Sequence, residues 1–218
     1  MSSFTFGDIH SLLGQTFKVQ IQAVIAWHRQ DPTYLSDISV VDSGNDFLDL
    51  VLRQHWANFR LWHVEDRARR QDVGSEVIAN CKYAIDKLNQ ERNDLLERLD
   101  MFLVWAIEPL LASLPQPERL RYNTETLGMA LDRGSILALK AYHMNEQAER
   151  TDVALEQSTE CRRKFAVLTE QRADLLQSIL DLLSDYSVGL KRPKVYYQFK
   201  MYNDARLNPE LYTRKNGA

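Results

Sequence analysis

The feature that most constrains this chain is a duplication: residues 53–103 reappear at a constant offset of 80 with no gap. Trp62-His63 falls on Tyr142-His143, Asp66 on Glu146, and Arg70, Asp72, Val73 and Glu76 on Arg150, Asp152, Val153 and Glu156. Further along, Cys81 falls on Cys161, Arg92 on Arg172 and Asp94-Leu95-Leu96 on Asp174-Leu175-Leu176; upstream, Arg53 falls on Arg133. Both copies carry apolar residues at helical spacing, and no stretch alternates as a strand does. Two units are too few for a solenoid. Two helical hairpins closing on each other bury both apolar faces.

The spacing therefore predicts an all-α antiparallel helical bundle over residues 1–189, built from pseudo-repeated helical hairpins at about 47–113 and 127–187. An amino-terminal helix precedes them. It is expected to start at Asp8 as N-cap and to end by Asp31-Pro32, because the residue before proline avoids helical angles. Ser43 and Asp46 resemble a capping box for a second helix over 47–72. Gly74-Ser75 marks a stop and restart, with a third helix from Glu76 ending by Pro115, a fourth over 127–151 and a fifth over 153–187. After Gly189 the pattern is lost. Residues 190–218 form an extended, tyrosine-rich tail, with seven basic residues against two acidic ones on a chain of net charge −3. Such a tail folds back onto the acidic body or meets an anionic partner.

Polar groups interrupt the apolar seams. Arg92 lies in the run Cys81, Ile85, Leu88, Leu95, Leu99, and Arg172 lies in its copy. The second helix carries His63, Asp66 and Arg70 on one face, and the fourth carries Asp132, His143, Glu146 and Arg150. If each Arg-x-Asp-Val is a hairpin turn, Arg53 stands opposite Asp94 and Arg133 opposite Asp174. Three accounts fit this set: a buried polar layer fixing register, a pocket whose arginines hold a phosphate or carboxylate, or a metal site from His63, Asp66, His143 and Glu146. The spacing Glu91, Asp94, Glu97, Asp100 resembles the carboxylate runs of all-α nucleotide pyrophosphatases, and residues 84–100 resemble the first helix of chorismate mutase. Successive members of the ladder, however, turn by about 300° around the helix.

Two cysteines, neither in a Cys-x-x-Cys pair, make no disulfide framework. No Gly-rich phosphate loop, catalytic Ser/His/Asp order or zinc-finger spacing occurs, so the sequence requires no cofactor. From the interrupted apolar start no signal peptide is expected, and no run reaches the length of a membrane span. A cytoplasmic protein is expected, with nucleic acid disfavoured by the acidic body.

The blocks HVEDRARR (63–70), LNQERNDLLERLD (88–100) and DRGSILALKAYHM (132–144), with the tail QFKMYNDARLNP (198–209), resemble a bacterial family described as a domain of unknown function. Gly134 stands where a larger apolar residue is expected. Members are often encoded beside glycosyltransferases of lipopolysaccharide or other surface-glycan pathways. The resemblance thus implies a non-catalytic or accessory binding protein in surface-glycan assembly, engaging a phosphorylated sugar or a glycosyltransferase partner. The competing expectations are a divalent-metal-dependent all-α phosphohydrolase acting on a nucleotide or sugar phosphate, and a homo-oligomer joined through the first helix and the tail.

Overall fold

The computed structural model describes residues 4–29, 45–115 and 119–212. Those residues form helices α1 (Phe6–Arg29), α2 (Asp46–Ala68), α3 (Ser75–Leu111), α4 (Leu127–Glu149), α5 (Leu155–Ser187) and a short α6 (Pro209–Tyr212), with one 3-10 turn at Met201–Asn203 and no strand. The all-α bundle is the fold. None of these helices is long and apolar enough to cross a membrane.

Local chemistry sets the helix ends. Thr5, not Asp8, begins α1: the Thr5 hydroxyl accepts from the Asp8 amide at 3.1 Å, while Asp8 accepts from the Thr5 amide at 2.8 Å. That is a reciprocal capping box, with Asp8 three residues inside the helix. Asn45 caps α2 by accepting from the amides of Phe47 and Leu48. Ser43 and Asp31-Pro32 lie outside the described residues. The second helix stops at Ala68, short of Asp72, because Arg70 and Asp72 form a clasp in the turn. Its copy is the clasp of Arg150 with Asp152. The same two hydrogen bonds at the same offset show that the duplication extends to the turns.

Each hairpin is antiparallel, α2 packing on α3 and α4 on α5. Between the halves the relation differs. His55 touches Ser135 and His63 touches His143, and both pairs are residues separated by 80. Equivalent positions meeting at two levels mean that α2 and α4 run side by side in the same direction about a pseudo-twofold axis. Helix α1 follows them, Gln20 lying at the level of His55 and His28 at that of His63.

The core is consequently layered. An apolar cluster that includes Ile9, Leu13, Phe47, Val51, Leu99 and Leu131 fills one end. A buried polar layer follows, then a second cluster of Val24, Trp27, Trp56, Phe59, Ala138 and Leu139. Each fully buried aromatic ring there contributes about 2–3 kcal/mol of transfer free energy. The apolar stripe of α1 is spent inside the chain, against α2, α4 and α5. The tail returns to α3 as well: the Gln198 amide donates to Glu97 at 2.8 Å and Lys200 Nζ to the Asn89 carbonyl at 3.0 Å. Of its rings, Tyr197 and Phe199 stay exposed; the side chains of Tyr202 and Tyr212 lie outside the described residues.

Two glycines permit close approaches. At Gly134 a Cβ would meet the Phe17 ring at 3.0 Å, so the missing side chain lets α1 seat against α4. At Gly128 a Cβ would stand 2.7 Å from Asp100 Oδ1 and 2.9 Å from the Leu96 carbonyl oxygen. The Gly128 amide donates to that same Asp100 oxygen at 2.7 Å, and Thr126 donates to the other, so Asp100 ties α3 to the start of α4. Gly128→Ala is expected to destabilise the fold by about 1–3 kcal/mol through overpacking, although alanine is the better helix former by about 1 kcal/mol. Urea denaturation measures it.

Candidate functional site

The central polar group is Asp132, whose carboxylate is almost wholly buried. Its Oδ1 accepts from Arg92 Nε at 2.8 Å, from Asn58 Nδ2 at 2.9 Å and from Gln54 Nε2, while Oδ2 accepts from Arg92 Nη2. This fork pairs α3 with α4 across the two halves. Asn58 Nδ2 also donates to Ser135 Oγ at 2.8 Å. The chain then has one direction: His55 Nε2 faces the Gln20 carbonyl at 2.9 Å, which can only accept, so Nε2 carries the proton and Nδ1 accepts from Ser135 at 2.6 Å. Gln20 closes the layer by donating to the Leu131 carbonyl at 3.1 Å. Burial pushes His55 down to about 3, opposed by its bond to Gln20 and reinforced by the Arg172 charge.

Arg172 is not a second copy of this arrangement. The position equivalent to Asp132 is Leu52, so Arg172 finds no acid there. Its Nη2 donates to the Phe17 carbonyl, and its guanidinium lies 4.7 Å from the centre of the Phe17 ring. Burial lowers its pKa to about 10. The two seam arginines therefore do not converge on a shared anion pocket.

Other expected site residues are dispersed. Arg53, Asp94, Arg133 and Asp174 are all exposed, and neither predicted cross-hairpin pair forms: Arg133 meets Glu125 and Asp94 accepts from Gln90 at 2.7 Å. Arg70 and Arg150 belong to the turn clasps, and Asp66 is exposed. The carboxylate ladder is scattered too, with Glu91 bound to Arg60, Glu97 holding the tail and Asp100 holding α4.

Beyond the second apolar cluster, His63 and His143 do come together, joined by His28 from α1. One ring nitrogen of each of the three lies within 4.8 Å of the others. His143 Nδ1 bonds Glu146 at 2.8 Å and His28 Nδ1 bonds the Val24 carbonyl at 2.8 Å. Burial lowers the pKa of His28 and His63, and each is pushed further down by its histidine neighbours. Aromatic rings hold the imidazoles: Trp62 stacks on His143 at 4.7 Å and Tyr142 on His28 at 4.1 Å. Sequence reasoning missed His28, although it extends the stripe Ile21, Val24, Ile25 by one helical step. It also missed Gln54, His55, Asn58 and Ser135.

Next to this cluster a groove of about 590 Å³ runs between α4 and α5. Trp62, Met144, Val167 and Leu168 give it apolar walls. Lys140, Arg163 and Lys164 add three cations, and no carboxylate lines it. Lys164 is paired with Glu160; among the described residues Lys140 and Arg163 are in no salt bridge. A second hollow of about 290 Å³ includes Asp66, Arg69 and Arg92, but both of its arginines are spent on Glu65 and Asp132.

No curated protein and no solved structure matches this chain. Residues 48–195 match the model of the family described as "Protein of unknown function (DUF4254)", a span running from the first turns of α2 to just past α5. The match takes in both hairpins, the Arg92–Asp132 fork and two of the three clustered histidines, and so the chain belongs to the DUF4254 family.

Proposed function

We propose that the protein is a non-catalytic binding protein, accessory to surface-glycan assembly, whose ligand is an organic anion with an apolar body. The groove between α4 and α5 carries this reading: apolar walls face a rim of three cations with no acid among the lining residues. A phosphate or carboxylate head gains charge-assisted hydrogen bonds from Lys140 and Arg163, while a chain or ring lies along Trp62, Val167 and Leu168. A phosphorylated, lipid-linked sugar has this chemistry. The acids expected to serve a phosphohydrolase support it indirectly, because Asp94 and Asp100 are engaged in hydrogen bonds and Asp66 stands exposed on another helix, α2.

The test is a titration of the full chain with decyl phosphate and with decanol. The phosphate is expected to bind at least tenfold more tightly, and Lys140→Glu and Arg163→Glu each to weaken it by about tenfold, or ~1.4 kcal/mol. Equal binding of the alcohol, or indifference to both charge reversals, removes the reading. Metal-dependent hydrolysis of a nucleotide or sugar phosphate would replace it with the enzyme.

A further inference from the structure

We propose that His28, His63 and His143 form a binding site for one transition-metal ion of the zinc class, stapling α1 to the pseudo-symmetric pair α2 and α4. The argument begins with lone pairs. Val24 offers only a carbonyl to His28, so His28 Nδ1 must carry the proton and Nε2 the lone pair. The Glu146 carboxylate imposes the same tautomer on His143. Nε2 of His28, of His63 and of His143 is buried in every case, and none has a hydrogen-bond partner. His28 and His143 therefore each hold a buried, unpartnered lone pair in a cluster where each of the three rings brings one nitrogen within 4.8 Å of the others. Buried polar atoms are rarely left without a partner, and three such imidazoles in one cluster are unlike an ordinary aromatic cap.

A metal ion satisfies all three at once. Neutral imidazole is the form that ligates. The hydrogen bonds to Val24 and Glu146 are the outer contacts that orient ligating histidines and raise their basicity. Three nitrogens at tetrahedral angles about 2.0–2.1 Å from one ion lie about 3.4 Å apart. The present 4.8 Å limit closes by small ring rotations. Stacking of Trp62 and Tyr142 on the rings leaves such rotations as the main freedom. Three protein ligands leave the fourth position of the ion to water. Soft thiolates are absent, since neither Cys81 nor Cys161 belongs to the cluster, so the donor set suits zinc, cobalt, nickel or copper rather than magnesium or calcium.

The pseudo-symmetry gives the site its geometry. His63 and His143 are equivalent residues 80 apart meeting at the axis, and α1, which stands outside the duplication, supplies the third ligand. This site does not rest on the groove reading: Lys140→Glu is expected to leave metal binding intact.

The full chain, stripped with EDTA, is titrated with cobalt(II). Visible d–d bands are expected to saturate at one ion per chain and to vanish when zinc is added, and zinc should raise the melting temperature progressively with its concentration. His63→Gln and His143→Gln are expected to abolish the bands, and His10→Gln, at an exposed residue outside the cluster, to leave them unchanged. Glu146→Gln keeps all three imidazoles and alters only an exposed carboxylate; it is expected to weaken binding about 10–100-fold, which decides the matter even if a histidine variant fails to fold. Absence of bands at saturating cobalt, or bands indifferent to Glu146→Gln and to both histidine variants, overturns the proposal.

Discussion

Asp132→Asn is expected to cost the fold about 3–5 kcal/mol, the range found when one partner of a buried ion pair is removed. The substitution barely changes volume, so the loss comes from hydrogen-bond sense alone. Asp132 is acceptor-only, and Arg92 Nε and Nη2, Asn58 and Gln54 all donate to it. An asparagine turns an NH2 group towards at least one of those donors and leaves Arg92 without a counter-charge. Arg92→Leu is expected to do comparable damage, because it strands the carboxylate instead. Arg172→Leu is the instructive contrast. It loses one hydrogen bond to Phe17 and the contact with the Phe17 ring, but it strands no acid and returns a desolvated cation to an apolar side chain. Its cost is expected to stay within about 1 kcal/mol. Urea denaturation of the three variants, read at unchanged m, tests both halves. Equal losses for Arg92→Leu and Arg172→Leu would show that the Asp132 fork is not what makes the layer rigid.

The difference between these arginines explains how far the sequence could be read. Periodicity and the offset of 80 located the helices, the hairpins and the turns, because these depend on local spacing and on Arg70–Asp72 and Arg150–Asp152 clasps within a few residues. The offset also put His63 and His143 in equivalent places. It did not find their partners. A turn-centred argument pairs residues only within a hairpin, whereas Arg92 reaches from α3 to α4 across the halves. The Arg53–Asp94 and Arg133–Asp174 pairs do not form because all four residues occupy outward positions. Helix α2 has more than a single apolar stripe: it is enclosed by α1, α3 and α4, and between Phe47 and Phe59 every residue is buried except half-buried Asp49 and Leu50 and exposed Arg53. In a helix so enclosed the buried polar residues need not fall on the seam, and Gln54, His55 and Asn58 escaped notice. His28 escaped because α1 has no counterpart in the duplication. Gly134 stands where a larger apolar residue is expected, because the Phe17 ring occupies that space.

Acid is expected to loosen this fold before most carboxylates titrate, and His55 sets the window. In the folded chain its imidazole is held neutral down to about 3, chiefly by burial. In the unfolded chain it takes up a proton near 6.5. Below about pH 6.5 the unfolded state therefore binds more protons, stability rises with pH, and the contribution is lost as pH falls, by about 1.4 kcal/mol per unit once well below that value. The directional hydrogen bonds give the same sign: a second N–H on His55 would face the Ser135 hydroxyl, which already accepts from Asn58 and donates to Nδ1. The lowered pKa values of His28 and His63 act in the same direction. Asp100 opposes them. Burial raises it to about 6, against its bonds from Thr126 and Gly128. Between about 3.8 and 6 it is thus the native state that keeps the proton, and this contribution grows as pH falls. Single variants separate the opposing terms. In chelator-containing buffer between pH 6 and 4, His55→Gln is expected to flatten the loss of stability with acid by about 1.4 kcal/mol per unit, and Asp100→Asn to steepen it by about as much. The slope is the readout, since either variant also shifts absolute stability. A His55→Gln slope equal to that of the native chain would mean that His55 protonates within the fold, and the one-way chain from Asn58 through Ser135 to Gln20 would have to be redrawn.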